Sequence, residues 1–287
     1  MSDPKPLPFI YQFGAGAIAG VSEILVMYPL DVVKTRQQLD NTNAYNGTIN
    51  CIKKIVKEEG FSRLYKGISA PILMEAPKRA TKFAANDEWG KIYKKAFGVT
   101  AMTQGLSILT GATAGATESF VVVPFELIKI KLQDKTSKFN GMGEVAKHII
   151  KENGVLGLYK GLESTLWRHV SWNAGYFGCI FQVKSLMPKP KTSTEKTLSD
   201  LTSGAIGGTF GTILNTPFDV VKSRIQAGST RYVWTLPSLA TVAKEEGFGA
   251  LYKGFIPKVL RLGPGGGILL VVFTACMDFF RSYHEGN

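Results

Sequence analysis

Apolar positions along the 287-residue chain gather into six long stretches separated by polar ones. The first, residues 9–30, carries a single charge, Glu23, and as a helix is long enough to cross a bilayer. Comparable stretches run at about 67–93, 103–126, 161–187, 200–219 and 255–280. The second, fourth and sixth hold several charges, so the chain as a whole, 45% hydrophobic with a mean hydropathy of +0.05, resembles a soluble protein in composition. The intervening polar segments show short helical patterns near 48–58, 142–152 and 236–246. Gly60, Gly154 and Gly247 are natural C-terminal stops for them.

A polar motif closes three of the long stretches. Pro29-Leu-Asp31-Val-Val-Lys34-Thr-Arg36-Gln-Gln38 recurs as Pro124-Phe-Glu126-Leu-Ile-Lys129-Ile-Lys131-Leu-Gln133 and as Pro217-Phe-Asp219-Val-Val-Lys222-Ser-Arg224-Ile-Gln226. One copy alone would be a weak signal, because a proline followed by an acid and a base starts many surface helices. A second element repeats with it: Glu59-Gly60 ahead of Tyr65-Lys66-Gly67, Asn153-Gly154 ahead of Tyr159-Lys160-Gly161, and Glu246-Gly247 ahead of Tyr252-Lys253-Gly254. Proline and final glycine are 38, 37 and 37 residues apart, so the whole unit is triplicated. Each unit also holds a Gly-x3-Gly seam, at Gly16/Gly20, Gly111/Gly115 and Gly204/Gly208, of the kind that lets membrane helices approach closely. The motif prolines are expected to kink their helices. Two helices cannot bury both their faces, so the three units share one core. Their boundaries are placed at 1–98, 99–191 and 192–287.

The paired motifs resemble those of the mitochondrial carrier family, and the resemblance covers the entire chain. It implies an all-α membrane protein with six transmembrane helices in three tandem two-helix repeats, pseudo-threefold symmetry and three short matrix helices. Asn153 departs from the family pattern, which has an acid there; because the position lies outside the spans, little is expected to follow from it. Within the family, Leu7-Pro-Phe-Ile-Tyr-Gln, Met74-Glu-Ala-Pro-Lys-Arg, Trp167-Arg-His-Val and Arg261-Leu-Gly-Pro-Gly-Gly-Gly look like the fungal oxodicarboxylate carriers. That likeness implies counter-exchange of 2-oxoadipate and 2-oxoglutarate across the mitochondrial inner membrane by alternating access.

With 34 basic and 22 acidic residues the net charge is +12, which suits nucleic acid, anionic lipid or a small anionic ligand. The distribution separates these. Segments 34–66, 129–160 and 222–253 hold 7, 7 and 5 Lys/Arg, against 9 at the termini and around the linkers. By the positive-inside bias the motif side faces the compartment from which the chain is oriented, the matrix for a mitochondrial carrier. Six spans then put both termini in the intermembrane space. Residues 1–8 lack the apolar run of a secretory signal and the Arg/Ser-rich pattern of a presequence, so targeting is expected to be internal. Cys51, Cys179 and Cys276 share no close spacing and suggest neither a disulfide framework nor a zinc site. No cofactor or metal is expected. No RNP, zinc-finger or helix-turn-helix pattern supports nucleic acid. No GxGxxG, Walker loop or nucleophile motif supports an enzyme, and His148, His169 and His284 do not cluster.

Six bases remain inside the spans, all on even-numbered ones: Lys78, Arg79, Lys82, Arg168, Lys258 and Arg261. Each would cost about 2.5 to 3.5 kcal/mol at a lipid-exposed helix centre, so most are expected to face a water-filled interior. The acids Glu23, Glu75 and Glu118 leave that interior positive. Seven residues after Gly67, Gly161 and Gly254 stand Met74, Arg168 and Arg261, followed by Glu75, His169 and Leu262. Unlike residues at equivalent depth in a threefold scaffold suit an asymmetric ligand, and arginine forks match carboxylates bidentately. The family resemblance makes these the substrate contact points. Lys78 and Lys82 continue the face of Met74 along the same helix, with Trp172 and Tyr176 at matching levels of the fourth. The expected substrate-binding set is therefore Arg168, His169, Arg261, Lys78, Lys82, Met74 and Glu75. Other readings stand beside it: Glu75 and Arg79 suit a local i, i+4 ion pair, His169 suits packing, and Lys258 near its helix end suits snorkelling.

Asp31, Glu126 and Asp219 each precede a lysine by three residues, which leaves pairing within one helix open. The resemblance instead implies a matrix gate between repeats: Asp31 with Lys129, Glu126 with Lys222, and Asp219 with Lys34, braced by Gln38, Gln133 and Gln226. The opposite, cytosolic gate is poorly kept, and only Asp87 and Lys184 are placed to pair. The reading is an antiporter of small dicarboxylates, a monomer in the lipid bilayer with cardiolipin at its matrix-side helix ends. The alternatives are a citrate or other di/tricarboxylate carrier of the same family, and an ion-leak or uncoupling protein, which would need no counter-substrate. Spacing and charge alone reach only a small organic anion.

Overall fold

The computed structural model describes residues 8–101, 103–188, 193–228 and 231–285. Among them there is no strand, and nine α-helices follow in order: α1 (Phe9–Leu39), α2 (Gly47–Glu59), α3 (Ser69–Ala96), α4 (Gln104–Gln133), α5 (Met142–Asn153), α6 (Leu162–Leu186), α7 (Ser193–Ala227), α8 (Thr235–Glu245) and α9 (Phe255–Glu285). The first long helix of each repeat, α1, α4 and α7, runs past the apolar stretch that announces it. α1 continues nine residues beyond Leu30, through Pro29, and α4 and α7 likewise continue through Pro124 and Pro217. The polar motif stays helical because its charged side chains find partners on neighbouring helices. α7 starts at Ser193, seven residues ahead of the apolar stretch at 200–219.

The six long helices close a ring in the order α1, α3, α4, α6, α7, α9. Contacts between repeats (α3 with α4, α6 with α7, α9 with α1) are more extensive than those within them. α9 returns antiparallel to α1: Tyr11 packs with its ring tilted against Phe280, centroids 5.3 Å apart, at one end, and Arg261 meets Asp31 at the other.

Each short helix is amphipathic and docks its apolar face on the end of its own repeat's first long helix. Cys51 and Ile55 join Tyr28, Val32 and Val33; Val145 and Ile149 join Leu127 and Leu132; Val242 joins Val221 and Ile225. Truncating Ile55, which is 1% exposed, to alanine would cost about 2 to 5 kcal/mol. The glycine ending each Tyr-Lys-Gly element presses on the motif helix of the next repeat in the ring. Gly161 has φ +85°, and a Cβ there would lie 2.7 Å from Gln226 Cγ. Gly254 (φ +80°) stands in the same relation to Lys34 and Gln38. A side chain at either position is excluded both by the left-handed backbone and by the neighbour.

The Gly-x3-Gly seams do not act as three equal packing surfaces. Among the described residues only the first has close neighbours, and these are the side chains of Glu75 and Arg79. Gly111 faces the interior cavity, and a Cβ on Gly204 or Gly208 would meet nothing within 4 Å among the described residues. The close backbone approach occurs elsewhere: a Cβ on Gly175 of α6 would lie 2.8 Å from Gly211 Cα of α7. Outside the ring, Val26, Leu73, Val271 and Phe279 are more than half exposed, an apolar outer face of the kind that marks a membrane or protein contact. Ile10–Leu39 and Phe248–Tyr283 are long and apolar enough to cross a membrane by composition.

Candidate functional site

The ring encloses a cavity of about 710 Å³, within the range of small-molecule sites. Its walls carry Met74, Lys78 and Lys82 from α3, Arg168, His169 and Trp172 from α6, and Lys258 and Arg261 from α9. Six of the seven residues expected to bind substrate therefore share one space. Glu75 does not join them. It is 6% exposed, accepts a 2.6 Å hydrogen bond from Arg79, and packs so tightly against α1 that a Cβ on Gly20 would lie 2.2 Å from its carboxylate. The local ion pair wins because α3 turns this i, i+4 edge toward α1 rather than inward. Arg79 is the one in-span base that leaves the cavity with it.

The floor of the cavity is the motif ring. Lys129 reaches Asp31 at 2.6 Å, Lys34 reaches Asp219 at 2.6 Å, and Lys222 pairs with Glu126. All three pairs cross between repeats, and none is the local i, i+3 alternative. Each acid also holds a second base from the second long helix of a repeat, α6 or α9: Asp31 has Arg261, Glu126 has Arg168 at 3.3 Å, and Asp219 has Lys258 at 3.2 Å. Lys258 is thus turned inward onto the gate and does not snorkel, because a buried carboxylate stands opposite it. α3 offers no such base, since Met74 occupies the level of Arg168 and Arg261, and Asp31 draws its second cation from α9 across the closed ring.

The two arginines are therefore engaged with acids. Arg261 also donates to Glu23 at 2.9 and 3.2 Å, while Arg168 lies 3.4 Å from His169 Nε2 and keeps a buried Nε donor without a partner among the described residues. Lys82 makes no ion pair among the described residues, and Lys78 has only Glu75 at 3.8 Å. Trp172 and Tyr176 stack on each other with centroids 4.9 Å apart.

The expected glutamine braces hold in one repeat only. Gln38 donates to Asp219 at 3.1 Å and accepts from Ser223 at 2.7 Å. The side-chain amides of Gln133 and Gln226 are buried and make no hydrogen bond to a ring acid or lysine among the described residues; packing holds them under the ring, and they brace no ion pair. The expected cytosolic pair is not described either. Asp87 is claimed by Lys91 one turn further along α3, at 2.6 Å, and the Lys184 side chain lies outside the described residues.

Beyond the ring, Arg36 and Arg224 tie their motif helices to the short helices. Arg36 binds both oxygens of Glu59 and also the carbonyl of Gln133 at 2.6 Å; Arg224 binds Glu246 and the carbonyl of Gln38 at 3.0 Å. The second repeat lacks this tie because Lys131 and Asn153 stand at the equivalent positions, so Asn153 matters to the structure even though it lies outside the spans. Burial opposes the charge on Glu59 and on Glu246, but the hydrogen bonds and attraction of Arg36 and Arg224 outweigh it and hold both carboxyls below their ordinary value. Burial pushes the Cys51 thiol up to about 12.

A family profile described as "Mitochondrial carrier protein" matches residues 5–97, 101–191 and 193–284. The chain is 67% identical to the mitochondrial citrate transporter D of Aspergillus niger, over 97% of this chain and 96% of that one. It is 61% identical to the mitochondrial 2-oxodicarboxylate carrier 1 of Saccharomyces cerevisiae, over 99% and 98%. It is also 42% identical to the mitochondrial 2-oxodicarboxylate carrier of Bos taurus, over 91% of each chain. With three profile matches spanning nearly its whole length and a triplicated charge ring beneath a basic cavity, the chain belongs to the mitochondrial carrier family.

Proposed function

We propose that the chain is a secondary transporter of the mitochondrial inner membrane that exchanges 2-oxodicarboxylates, 2-oxoadipate and 2-oxoglutarate, by alternating access. The observation that carries this is the grouping of Arg168, Arg261, Lys78 and Lys82 on the walls of one cavity above the closed motif ring. Two forks and two ammonium groups suit a small acid with a carboxylate at each end. Relatives named as 2-oxodicarboxylate carriers at 42 to 61% identity support the choice of acid.

The shared arginines suggest how binding drives the cycle. A substrate carboxylate that takes Arg168 draws it from Glu126, and one that takes Arg261 draws it from Asp31. Each gate acid is then left with its inter-repeat lysine alone, and the ring loosens. A ligand shifts a conformational equilibrium only by its differential affinity for the two states. Charged hydrogen bonds of about 1.5 to 3 kcal/mol each are large enough for that. His169 and Met74 shape the site beside the two forks, and no bond is made or broken. In this reading the motif side faces the matrix, both termini face the intermembrane space, residues 1–98, 99–191 and 192–287 are the repeats, cardiolipin lies at the matrix-side helix ends, and the monomer is the working unit.

A second reading, citrate transport on the same fold, is favoured by the 67% identity to the Aspergillus protein. Reconstitution separates the two. Liposomes preloaded with 2-oxoadipate are expected to take up labelled 2-oxoglutarate, and empty ones are not. Equal uptake into empty liposomes, or efficient uptake of ATP, basic amino acids or phosphate instead, would overturn the exchange reading. Uptake of citrate alone would favour the second.

A further inference from the structure

Two acids on the cavity wall stand at one register. Glu23 lies six residues before Pro29 and Glu118 six before Pro124, while the third position, six before Pro217, is Gly211. The third repeat has no room for a side chain there, since a Cβ on Gly211 would lie 3.0 Å from the Trp172 carbonyl oxygen and 3.3 Å from its indole. Glu23 is bound by Arg261. Glu118 has no such partner: it is 6% exposed, lines the cavity, and makes no hydrogen bond or ion pair among the described residues. Lys78 and Lys82 of α3 and Arg168 of α6 lie within electrostatic reach, with Glu126 further along its own helix. His169 packs toward Gly115, one turn before Glu118.

We propose that Glu118 sets the charge of the anion this cavity accepts, admitting dicarboxylates and repelling tricarboxylates. The inference rests on the anion-exchange reading above. Above the motif ring the wall carries Lys78, Lys82, Arg168, Lys258 and Arg261 against Glu23 and Glu118, and of the two acids Glu118 is the one left without a base among the described residues. A trianion brings a third carboxylate into the same space, and so into the range of the free Glu118 carboxylate. Away from bulk water that repulsion is strengthened. Substituting Glu118 removes no bond from the fold, which makes it a clean test position.

In reconstituted exchange against internal 2-oxoglutarate, Glu118→Gln is expected to raise the ratio of citrate to 2-oxoglutarate uptake about tenfold over the wild type, a change of ~1.4 kcal/mol. Glu118→Asp, which keeps the charge, is expected to keep the wild-type ratio. An unchanged ratio in the Gln variant, or an equal loss of both substrates, overturns the proposal. Should the Gln variant not fold, the wild-type protein decides: citrate that raises its melting temperature as much as 2-oxoglutarate does is the overturning result. Failure of the wild type to exchange any 2-oxodicarboxylate would instead overturn the functional reading, a separate outcome.

Discussion

The Arg36 guanidinium holds both carboxylate oxygens of Glu59, at 2.8 and 2.7 Å, and so fastens the end of α1 to the end of α2. Arg224 and Glu246 repeat the arrangement in the third repeat. Both carboxyls are held below the ordinary value of 4.5. A carboxyl whose folded pKa is depressed contributes stability above its unfolded pKa and loses it as pH falls through the folded one. The melting temperature is therefore expected to fall on acidification below about pH 4.5, and the Glu59→Gln/Glu246→Gln double variant should fall less steeply. Thermal unfolding in detergent from neutral to acid pH measures both slopes, and coincident slopes would show that the pairs contribute nothing.

The second repeat offers the complementary experiment. Asn153→Glu places an acid where the other repeats have Glu59 and Glu246, with Lys131 in the arginine position. The gain is expected to be small, about 0 to 1 kcal/mol, and larger when Lys131→Arg is added, because arginine binds a carboxylate bidentately. A double-mutant cycle on melting temperature reads the coupling; a negative one would mean that the tie cannot form in this repeat.

Arg168→Ala and Arg261→Ala are each expected to lower exchange by ten- to a hundredfold or more, from the loss of about 1.5 to 3 kcal/mol per charged hydrogen bond. Folding should survive, since Glu126 keeps Lys222 and Asp31 keeps Lys129. His169→Ala should cost less and alter the preference among acids. Wild-type uptake by Arg168→Ala would remove that residue from the site.

With the motif ring closed and Asp87 committed to Lys91, the substrate-free cavity is expected to rest open on the side away from the motifs. Lys82→Cys and Asn86→Cys, both on the cavity wall, should react with a membrane-impermeant thiol reagent from the cytosolic side and slowly from the matrix side. Cys179 and Cys276 have to be replaced first. Cys51 can stay, being 0% exposed with its thiol pushed up to about 12. Faster labelling from the matrix would show that the ring does not set the resting state.

The register of charges repeats in one dimension, and this is why the short helices and the basic cavity were legible in the sequence; the three cross-repeat pairs were legible only through the family resemblance, since spacing left pairing within one helix open. Side-chain direction was less so. Glu75 and Lys78 are neighbours on α3, yet one faces α1 and the other the cavity, a matter of helix rotation that no spacing rule fixes. The second base on each gate acid depends on where long helices cross, as does the failure of Gln133 and Gln226 to brace an ion pair. The contact of Gly175 with Gly211 had a readable trace: aligning the three units six residues before the proline sets Gly211 against Glu23 and Glu118. Its meaning needed the Trp172 carbonyl.

The meeting of Tyr11 with Phe280 joins the first helix to the last across the only junction of the ring that the chain does not bridge covalently. That junction is made of the same kind of antiparallel contact as the two bridged ones. The order in which the repeats are strung is therefore incidental to their assembly. A circular permutant, with its old ends linked and a new opening cut between α3 and α4, would present the same neighbours to every helix and the same three lysines to the three acids.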